Sequence, residues 1–329
     1  PGAPYWESAD LRIVLELNAS ENVVGVQVRD SSGGTFGTNN AGQTSMLFSS
    51  CSGQIGGEVV GSSTTMINRR ESSSVTRRLL EVDVRGLLDC LHTTNWLGTG
   101  KRLDDDTQDG LVFYFTVQGP NSDAQTNRYG FRVRNASQLQ STIAGAPAVG
   151  GLTIVSDQAA YVMGHYNSSN WTRSAILADT FNILSSAWNP TTYDGGSFST
   201  RVAANTTVQV AVLSGTDTTG GPNTQPAEEG AAGQSSSTSQ QDYNGGLENY
   251  PRFHENWSGR TLTYNGSFVS LDRPRHSSGQ WSYGSPVYTA PARNWGYDTR
   301  FNNAQNLPPM TPRFVYLRQQ LFLRHFDQS

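Results

Sequence analysis

The sequence is short of charge, of lysine and of apolar side chains. Charged residues make up 15% and hydrophobic residues 35% of the 329 positions, against about 25% and about 45–50% in average globular domains. Lysine occurs once, at Lys101, so every other basic side chain is arginine. The composition excludes a long coiled coil, and the 10% of aromatic residues argues against a disordered chain.

Long apolar runs and an overall positive charge are also missing. No stretch approaches the ~18 apolar residues of a membrane-spanning helix. The opening Pro1-Gly2-Ala3-Pro4 lacks the charged and apolar regions of a secretory signal, so we expect a mature end or a piece of a longer protein. The net charge of -4 provides no basic footprint for nucleic acid.

Only two cysteines, Cys51 and Cys90, are present. Neither belongs to a C-x-x-C pair, which argues against zinc binding and thioredoxin-like chemistry. The abundance of Ser, Thr, Asn and Gly is typical of an extracellular protein, in which the two cysteines would form one disulfide. Two separate buried thiols are the alternative.

The first part of the chain shows strand patterns. Alternating or continuous apolar residues indicate strands at 11–17, 24–28, 80–84 and 111–117. Residues 86–91 fit a short helical turn. We therefore predict an all-β protein whose residues 1–128 form a strand-rich module.

Short strand-like units recur from Tyr129 onward, with no convincing helix between them. They are bounded by residues that form tight corners and recur about every 20–30 residues, an interval typical of stacked architectures. We predict a β-solenoid module, similar to a parallel β-helix, over 129–329. It would carry an exposed loop at about 216–246 and an aromatic C-terminal capping segment.

The predicted solenoid has a defined core and one competing interpretation. The core residues would be Ile154, Val162, Ile176, Leu177, Ile183, Val208, Val210, Val212, Leu262 and Phe268. An ordinary antiparallel sandwich is the alternative, and Asn265-Gly266 is a candidate hairpin turn.

Several strings in the second part resemble a known family. They are GLTIVSDQAAYVMGHYN (151–167), SAILADTFNILSSAWN (174–189), GGLENYPRFHENWSGRTLTYNGSFVSL (245–271), NWGYDTRF (294–301) and LPPMTPRFVYL (307–317). In combination they resemble secreted, pilin-like bacterial proteins related to PilX-type pilus assembly proteins and to hormogonium-polysaccharide-associated proteins. The resemblance implies an N-terminal pilin-like module, an upstream prepilin-type membrane helix that is missing here, and no established enzymatic chemistry.

An acidic cluster precedes the apolar run at 111–117. Asp104, Asp106 and Asp109 lie close together and are followed by Gly110. Closely spaced carboxylate oxygens suit Ca²⁺, although the spacing is not that of an EF-hand. A solvated acidic turn is the alternative.

Aromatic residues near the C-terminal end are candidate ligand-binding residues. Trp257, Trp281, Tyr283, Trp295 and Tyr297, with Tyr288, lie among Arg, Asn and Gly. Aromatic faces stack on sugars or bases, and arginine adds cation–π contacts. The alternative is that these rings cap an open end of the solenoid.

Acid–base chemistry has weaker support. His254-Glu255 is better explained as part of a packed motif anchored by Phe253 and Trp257 than as a catalytic pair. A β-helix glycosidase would need two facing carboxylates. The candidates are Asp179, Asp194, Glu248, Glu255 and Asp272.

The sequence thus predicts a non-enzymatic, extracellular structural and adhesive component of a type IV pilus or surface filament. The alternatives are a main filament-forming subunit, a pilus-tip DNA receptor and a polysaccharide-active β-helix enzyme. Expected partners are other pilins or copies of the same chain, and polysaccharide or DNA. Membrane contact is expected only through the missing upstream helix, and Ca²⁺ is the one candidate cofactor.

Overall fold

The computed structural model describes residues 4–31, 35–38, 60–69, 76–120, 128–215, 250–270 and 287–311. Strands dominate these residues, which confirms the all-β class in its coarse form. The α-helices among them are Pro4–Ser8 (α1), Val84–Thr93 (α2) and Pro190–Tyr193 (α3), and Thr299–Asn302 and Ala304–Asn306 are 3₁₀ helices. None of the helices in these segments has the length and apolar character to cross a membrane.

Fifteen strands are present in the described residues. They are, in chain order, β1 Leu11–Leu17, β2 Val23–Asp30, β3 Thr35–Thr38, β4 Val60–Ile67, β5 Thr76–Asp83, β6 Leu111–Gln118, β7 Tyr129–Arg134, β8 Gly151–Val155, β9 Ala159–Met163, β10 Arg173–Leu177, β11 Phe181–Leu184, β12 Thr206–Ser214, β13 Pro251–Phe253, β14 Thr261–Ser270 and β15 Ala292–Tyr297. They form a nine-stranded sheet, in the order β15-β14-β12-β10-β8-β6-β1-β2-β3, and a six-stranded sheet, in the order β13-β11-β9-β7-β5-β4.

Consecutive strands from β5 to β14 belong to different sheets. Each therefore pairs with the strand two positions along the chain, and all of these pairs are parallel. Antiparallel pairs occur only near the chain's beginning among the described strands, where β1 pairs with β2, β2 with β3 and β4 with β5. An ordinary antiparallel sandwich therefore does not describe the chain from β5 onward.

One apolar cluster joins the facing sides of the two sheets. Eight of the ten predicted core residues belong to it, and Phe268 packs against it while partly buried. The tenth, Leu177, is buried in a separate cluster with residues of neighbouring strands such as Tyr114 and Val155. Alternation along the strands thus identified most of the core but placed Leu177 on the wrong side of its sheet.

The predicted boundary between residues 128 and 129 lies inside both sheets. Strand β5 pairs with β7, and β6 pairs with β8, so hydrogen bonds cross the boundary in each sheet. The main apolar cluster also contains Ile13 and Phe115 from one side and Phe131 and Ile154 from the other. The described parts of the two predicted modules share one core.

Two short segments cover the outer face of the nine-stranded sheet. The Trp6 ring of α1 packs edge-on against Tyr114 with the ring centroids 5.0 Å apart. The Arg12 guanidinium also donates a hydrogen bond to the Trp6 carbonyl oxygen at 2.8 Å. The second segment contains Pro309, whose carbonyl oxygen accepts a hydrogen bond from the Thr153 hydroxyl group at 2.7 Å. This covering explains why the continuous apolar run of β6 is buried on both faces.

The prediction of a hairpin turn at Asn265-Gly266 is wrong, because both residues lie inside β14. Asn265 pairs with Gln209 on one side and with Gly296 on the other. A Cβ atom at Gly266 would overlap the Val210 carbonyl group and lie 2.6 Å from the Tyr264 hydroxyl oxygen. The glycine is therefore explained by this close approach.

We expect the change Gly266→Ala to lower the free energy of unfolding by about 1–3 kcal/mol, since the added methyl group has no space. The matched control is Gly296→Ala on β15, where the nearest atom to a Cβ would be Asn265 Oδ1 at 3.8 Å. Urea denaturation of both variants measures the difference, and equal losses would contradict the packing argument.

Candidate ligand-binding surface

The predicted aromatic residues that the structure describes do not form one exposed surface. Trp257 is 0% exposed and packs edge-on against Phe253 with the ring centroids 5.5 Å apart, and Tyr288 is also buried. Both belong to the main apolar cluster, so their prediction as ligand-binding or exposed residues is corrected. Trp281 and Tyr283 lie outside the described residues.

Trp295 and Tyr297 lie on β15, at one edge of the nine-stranded sheet, and have different environments. The half-buried Trp295 ring packs edge-on against Phe268, at 5.8 Å between centroids, and against Tyr264 at 6.2 Å. Trp295 therefore fits the alternative in which these rings cap the core, because it packs against the main apolar cluster. Tyr297 is 54% exposed and is the predicted aromatic residue best placed to meet a ligand.

Tyr297 belongs to a cluster of side chains that the sequence did not predict. Its ring lies 6.4 Å from the buried Phe301 ring, which lies 6.2 Å from the half-buried Trp171 ring. The Arg300 guanidinium carbon lies 4.1 Å from the Trp171 ring centroid, a short cation–π distance. The Tyr297 hydroxyl donates to Asn302 Oδ1 at 3.2 Å. We call Trp171, Arg173, Tyr297, Arg300 and Asn302 the aromatic–arginine surface.

Arg300 is held in a fixed orientation at the centre of this surface. Its Nε and Nη2 atoms donate to the two carboxylate oxygens of Asp298 at 2.7 and 2.8 Å. Nη2 also donates to Gln209 Oε1 at 2.8 Å. Within the described segments, no residue accepts a hydrogen bond from Nη1. Because a planar guanidinium held by several partners loses little freedom on binding, this free edge is preorganised.

Arg173 adds a second fixed guanidinium. Its Nε donates to the Gly150 carbonyl oxygen at 2.8 Å, and its Nη1 donates to the Gln305 carbonyl oxygen at 2.7 Å. Gln305 belongs to the 3₁₀ helix that follows Arg300, and Trp171, whose ring meets the Arg300 guanidinium, stands two residues before Arg173. Arg173 has no carboxylate partner among the described residues.

The predicted calcium loop does not form a metal site in the described residues. They contain no group of three or more His, Cys, Asp or Glu side chains that could hold a metal ion. Asp104, Asp106 and Asp109 are all exposed. It is Asp105 that lies 3.3 Å from Lys101 Nζ, and Lys101 also pairs with Asp10 at 2.5 Å. The loop is thus held by an ion-pair network, and calcium binding stays a prediction.

Cys90 lies on α2 and is disulfide-bonded. Its predicted partner Cys51 lies outside the described residues.

The candidate acid–base residues are buried. His254 and Glu255 are both 0% exposed, and His254 Nε2 lies 2.9 Å from Asn182 Oδ1. Glu255 accepts hydrogen bonds from the Ser185 amide and hydroxyl groups, both at 2.6 Å. This fits the interpretation of a packed motif.

Two of the other candidate carboxylates, Asp194 and Asp179, lie in the described residues. Asp194 is 1% exposed and lies 3.6 Å from Arg132 Nη1. Asp179 is half-buried, while Glu248 and Asp272 lie outside the described residues.

Burial raises the pKa of Glu255 from 4.5 to about 7, against the hydrogen bonds from Ser185 and the charge of Arg201, which lower it. A carboxyl group whose pKa is raised by folding contributes its full share of stability below its unfolded-state pKa. That share is lost as the pH rises through the folded-state pKa. Ionisation of Glu255 therefore lowers the stability of the fold progressively from about pH 4.5 to 7, and the full cost persists at higher pH.

Comparisons with protein-family models, with curated proteins and with solved structures found no match to this chain. The resemblance to pilin-like proteins therefore stays a prediction from the sequence.

We expect Glu255→Gln to gain stability relative to the original chain as the pH rises. The amide keeps the shape of the protonated carboxyl group and carries no charge, so the difference should approach about 3 kcal/mol above pH 8. Chemical denaturation from pH 4 to 9 measures it. The exposed Asp104→Asn serves as the control and should show no such rise, and a pH-independent difference at Glu255 would refute the burial argument.

Proposed function

We propose that this chain is a non-enzymatic, extracellular component of a type IV pilus or other surface filament, in which it serves as an adhesive scaffold. The pilus context derives from the sequence resemblance. The adhesive role is also an expectation from the sequence, and the observation that supports it is the exposed aromatic–arginine surface on a stack of parallel strands.

The strand stack supports the interpretation as a β-solenoid scaffold. From β5 to β14 the strands alternate between the two sheets, and each strand pairs in parallel with the strand two positions later. Each pair of consecutive strands then corresponds to one turn of a solenoid. Each winding buries apolar residues against its neighbours, as in stacked-repeat proteins. Such a stack keeps surface side chains at fixed spacings, because they project from paired strands.

The surface chemistry supports a polysaccharide as the ligand. Tyr297 presents a ring face that can stack on a sugar, and Asn302 presents an amide that can hydrogen-bond to hydroxyl groups. Phe301, which is buried, supports this surface from below through its ring contacts with Tyr297 and Trp171. Preorganised aromatic and amide groups of this kind are typical of binding sites that are largely formed before the ligand binds.

The buried carboxylates favour binding over glycoside cleavage. A glycosidase presents two carboxyl groups to the bond that it breaks. Glu255 and Asp194 are enclosed instead by Ser185 and Arg132, respectively. These contacts explain the two acids as elements of packing.

We expect Tyr297→Ala to weaken polysaccharide binding about 5- to 10-fold, the effect of losing one aromatic stacking contact. The test is co-sedimentation of the full chain with a panel of insoluble polysaccharides, alongside duplex DNA. Thermal stability should change little, because the side chain is largely exposed. Val24→Ala is the control, since Val24 is exposed but lies on β2, near the opposite edge of the sheet. Failure of the chain to bind any polysaccharide would refute the adhesive role.

Membership of a filament has its own test. We expect the chain to appear in the sheared surface filaments of cells that produce it, and to be lost from that fraction when the filament machinery is deleted. Quantitative immunoblotting of filament and cell fractions measures this. Persistence of the chain in the same fraction without filaments would contradict the pilus context and leave the ligand-binding role unaffected.

A further inference from the structure

The aromatic–arginine surface has an unusual charge pattern for this chain. The protein carries a net charge of -4, but the two arginines of this surface meet a single carboxylate, that of Asp298. The adjoining segment 299–306, TRFNNAQN, contains no acidic residue. The surface is therefore locally positive and rich in amide groups.

The two guanidinium groups keep hydrogen-bonding capacity. Arg300 uses Nε and Nη2 within the protein and leaves Nη1 free of described partners, while its side chain is 35% exposed. Arg173 uses Nε and Nη1, and its Nη2 has no partner among the described residues. Since guanidinium N–H groups are strong donors to carboxylates, the surface offers two fixed positions for an anionic group.

We infer that the aromatic–arginine surface selects acidic polysaccharides, with the carboxylate of a uronic acid unit bound by Arg173 and Arg300. The sugar ring then stacks on Tyr297, and a hydroxyl group meets Asn302. This selectivity rests on the proposed adhesive function, and it adds the class of sugar.

A uronate fits this surface better than nucleic acid does. DNA binding draws on many phosphate contacts spread along a basic surface. Here both guanidinium groups are half-occupied by protein acceptors, and the buried Asp298 offsets one of the two charges. One carboxylate between two free N–H edges matches this limited capacity.

The experiment compares one polymer with and without its charge. Binding of the full chain to polygalacturonate is measured by biolayer interferometry against fully methyl-esterified polygalacturonate, which has the same sugar but no carboxylate. We expect the acidic polymer to bind about 10- to 100-fold more tightly, as charge-assisted hydrogen bonds do. The preference should weaken at high salt, because the surface is exposed.

The test variant is Arg173→Gln, which removes one guanidinium without leaving the carboxylate of Asp298 unpaired. It should weaken binding of the acidic polymer about tenfold more than binding of the esterified polymer. Arg102→Gln is the matched control, because Arg102 is an exposed arginine in the acidic loop before β6.

The outcomes separate this inference from the proposed function. Equal binding of both polymers, sensitive to Tyr297→Ala, overturns the inference and keeps the adhesive role. Binding of neither polymer, nor of any neutral polysaccharide, overturns both. Tighter, Arg173-dependent binding of duplex DNA than of polygalacturonate also overturns the inference, in favour of nucleic acid.

Discussion

In-register parallel pairing of every second strand is the constraint on which the rest of this structure depends. Once β5 and β6 lie in different sheets, each later strand up to β14 pairs with the strand two positions earlier, without a register shift. A shift by one residue would turn every inward side chain outward. The apolar cluster between the sheets therefore fixes the register, and the register in turn fixes which side chains meet on the outside.

The candidate surface is a direct product of this register. Gln209 and Asn265 are paired on neighbouring strands, and Asn265 is paired with Gly296 on β15. The Asp298 amide then donates to the Gly266 carbonyl oxygen at 3.0 Å, which sets the start of the 3₁₀ helix that carries Arg300. Trp171 precedes β10 and Arg300 follows β15, so the strand order β15-β14-β12-β10 brings these two residues, far apart in sequence, to the same region of the sheet. A loop without such a framework would not hold Arg300 in one plane.

The sequence was sufficient for the parts of the fold that depend on local patterns. Alternating apolar residues predicted the strand at 11–17 and most core residues, because burial of one strand face follows directly from that alternation. A continuous apolar run predicted the strand at 111–117, which is buried on both faces. Contacts between strands that are distant in sequence were not predictable in this way. The sequence around Trp257 does not distinguish it from the other aromatic residues predicted to be exposed, but its ring packs on Phe253. Trp171 likewise gives no local sign of its contact with Arg300. The Asn265-Gly266 pair was misleading because the need for glycine comes from groups that pack closely on it. These are the Tyr264 hydroxyl group and the Val210 carbonyl group, and Val210 lies on another strand.

The two sheets use their ionisable groups differently, and this difference bears on function. On the six-stranded sheet, Arg132 of β7 is buried and paired with Glu81 of the adjacent β5 and with Asp194. Buried charges of this kind need partners inside the protein, because desolvation is expensive, and their burial keeps them from contact with a ligand. On the nine-stranded sheet, Arg300 and Arg173 remain partly exposed, and each retains an N–H edge without a partner among the described residues. A side chain that is fixed yet incompletely satisfied binds a ligand at low entropic cost. Among the described residues, the arginines on which our proposal rests therefore lie on the outer face of the nine-stranded sheet, where the 3₁₀ segment meets β10, β12 and β14.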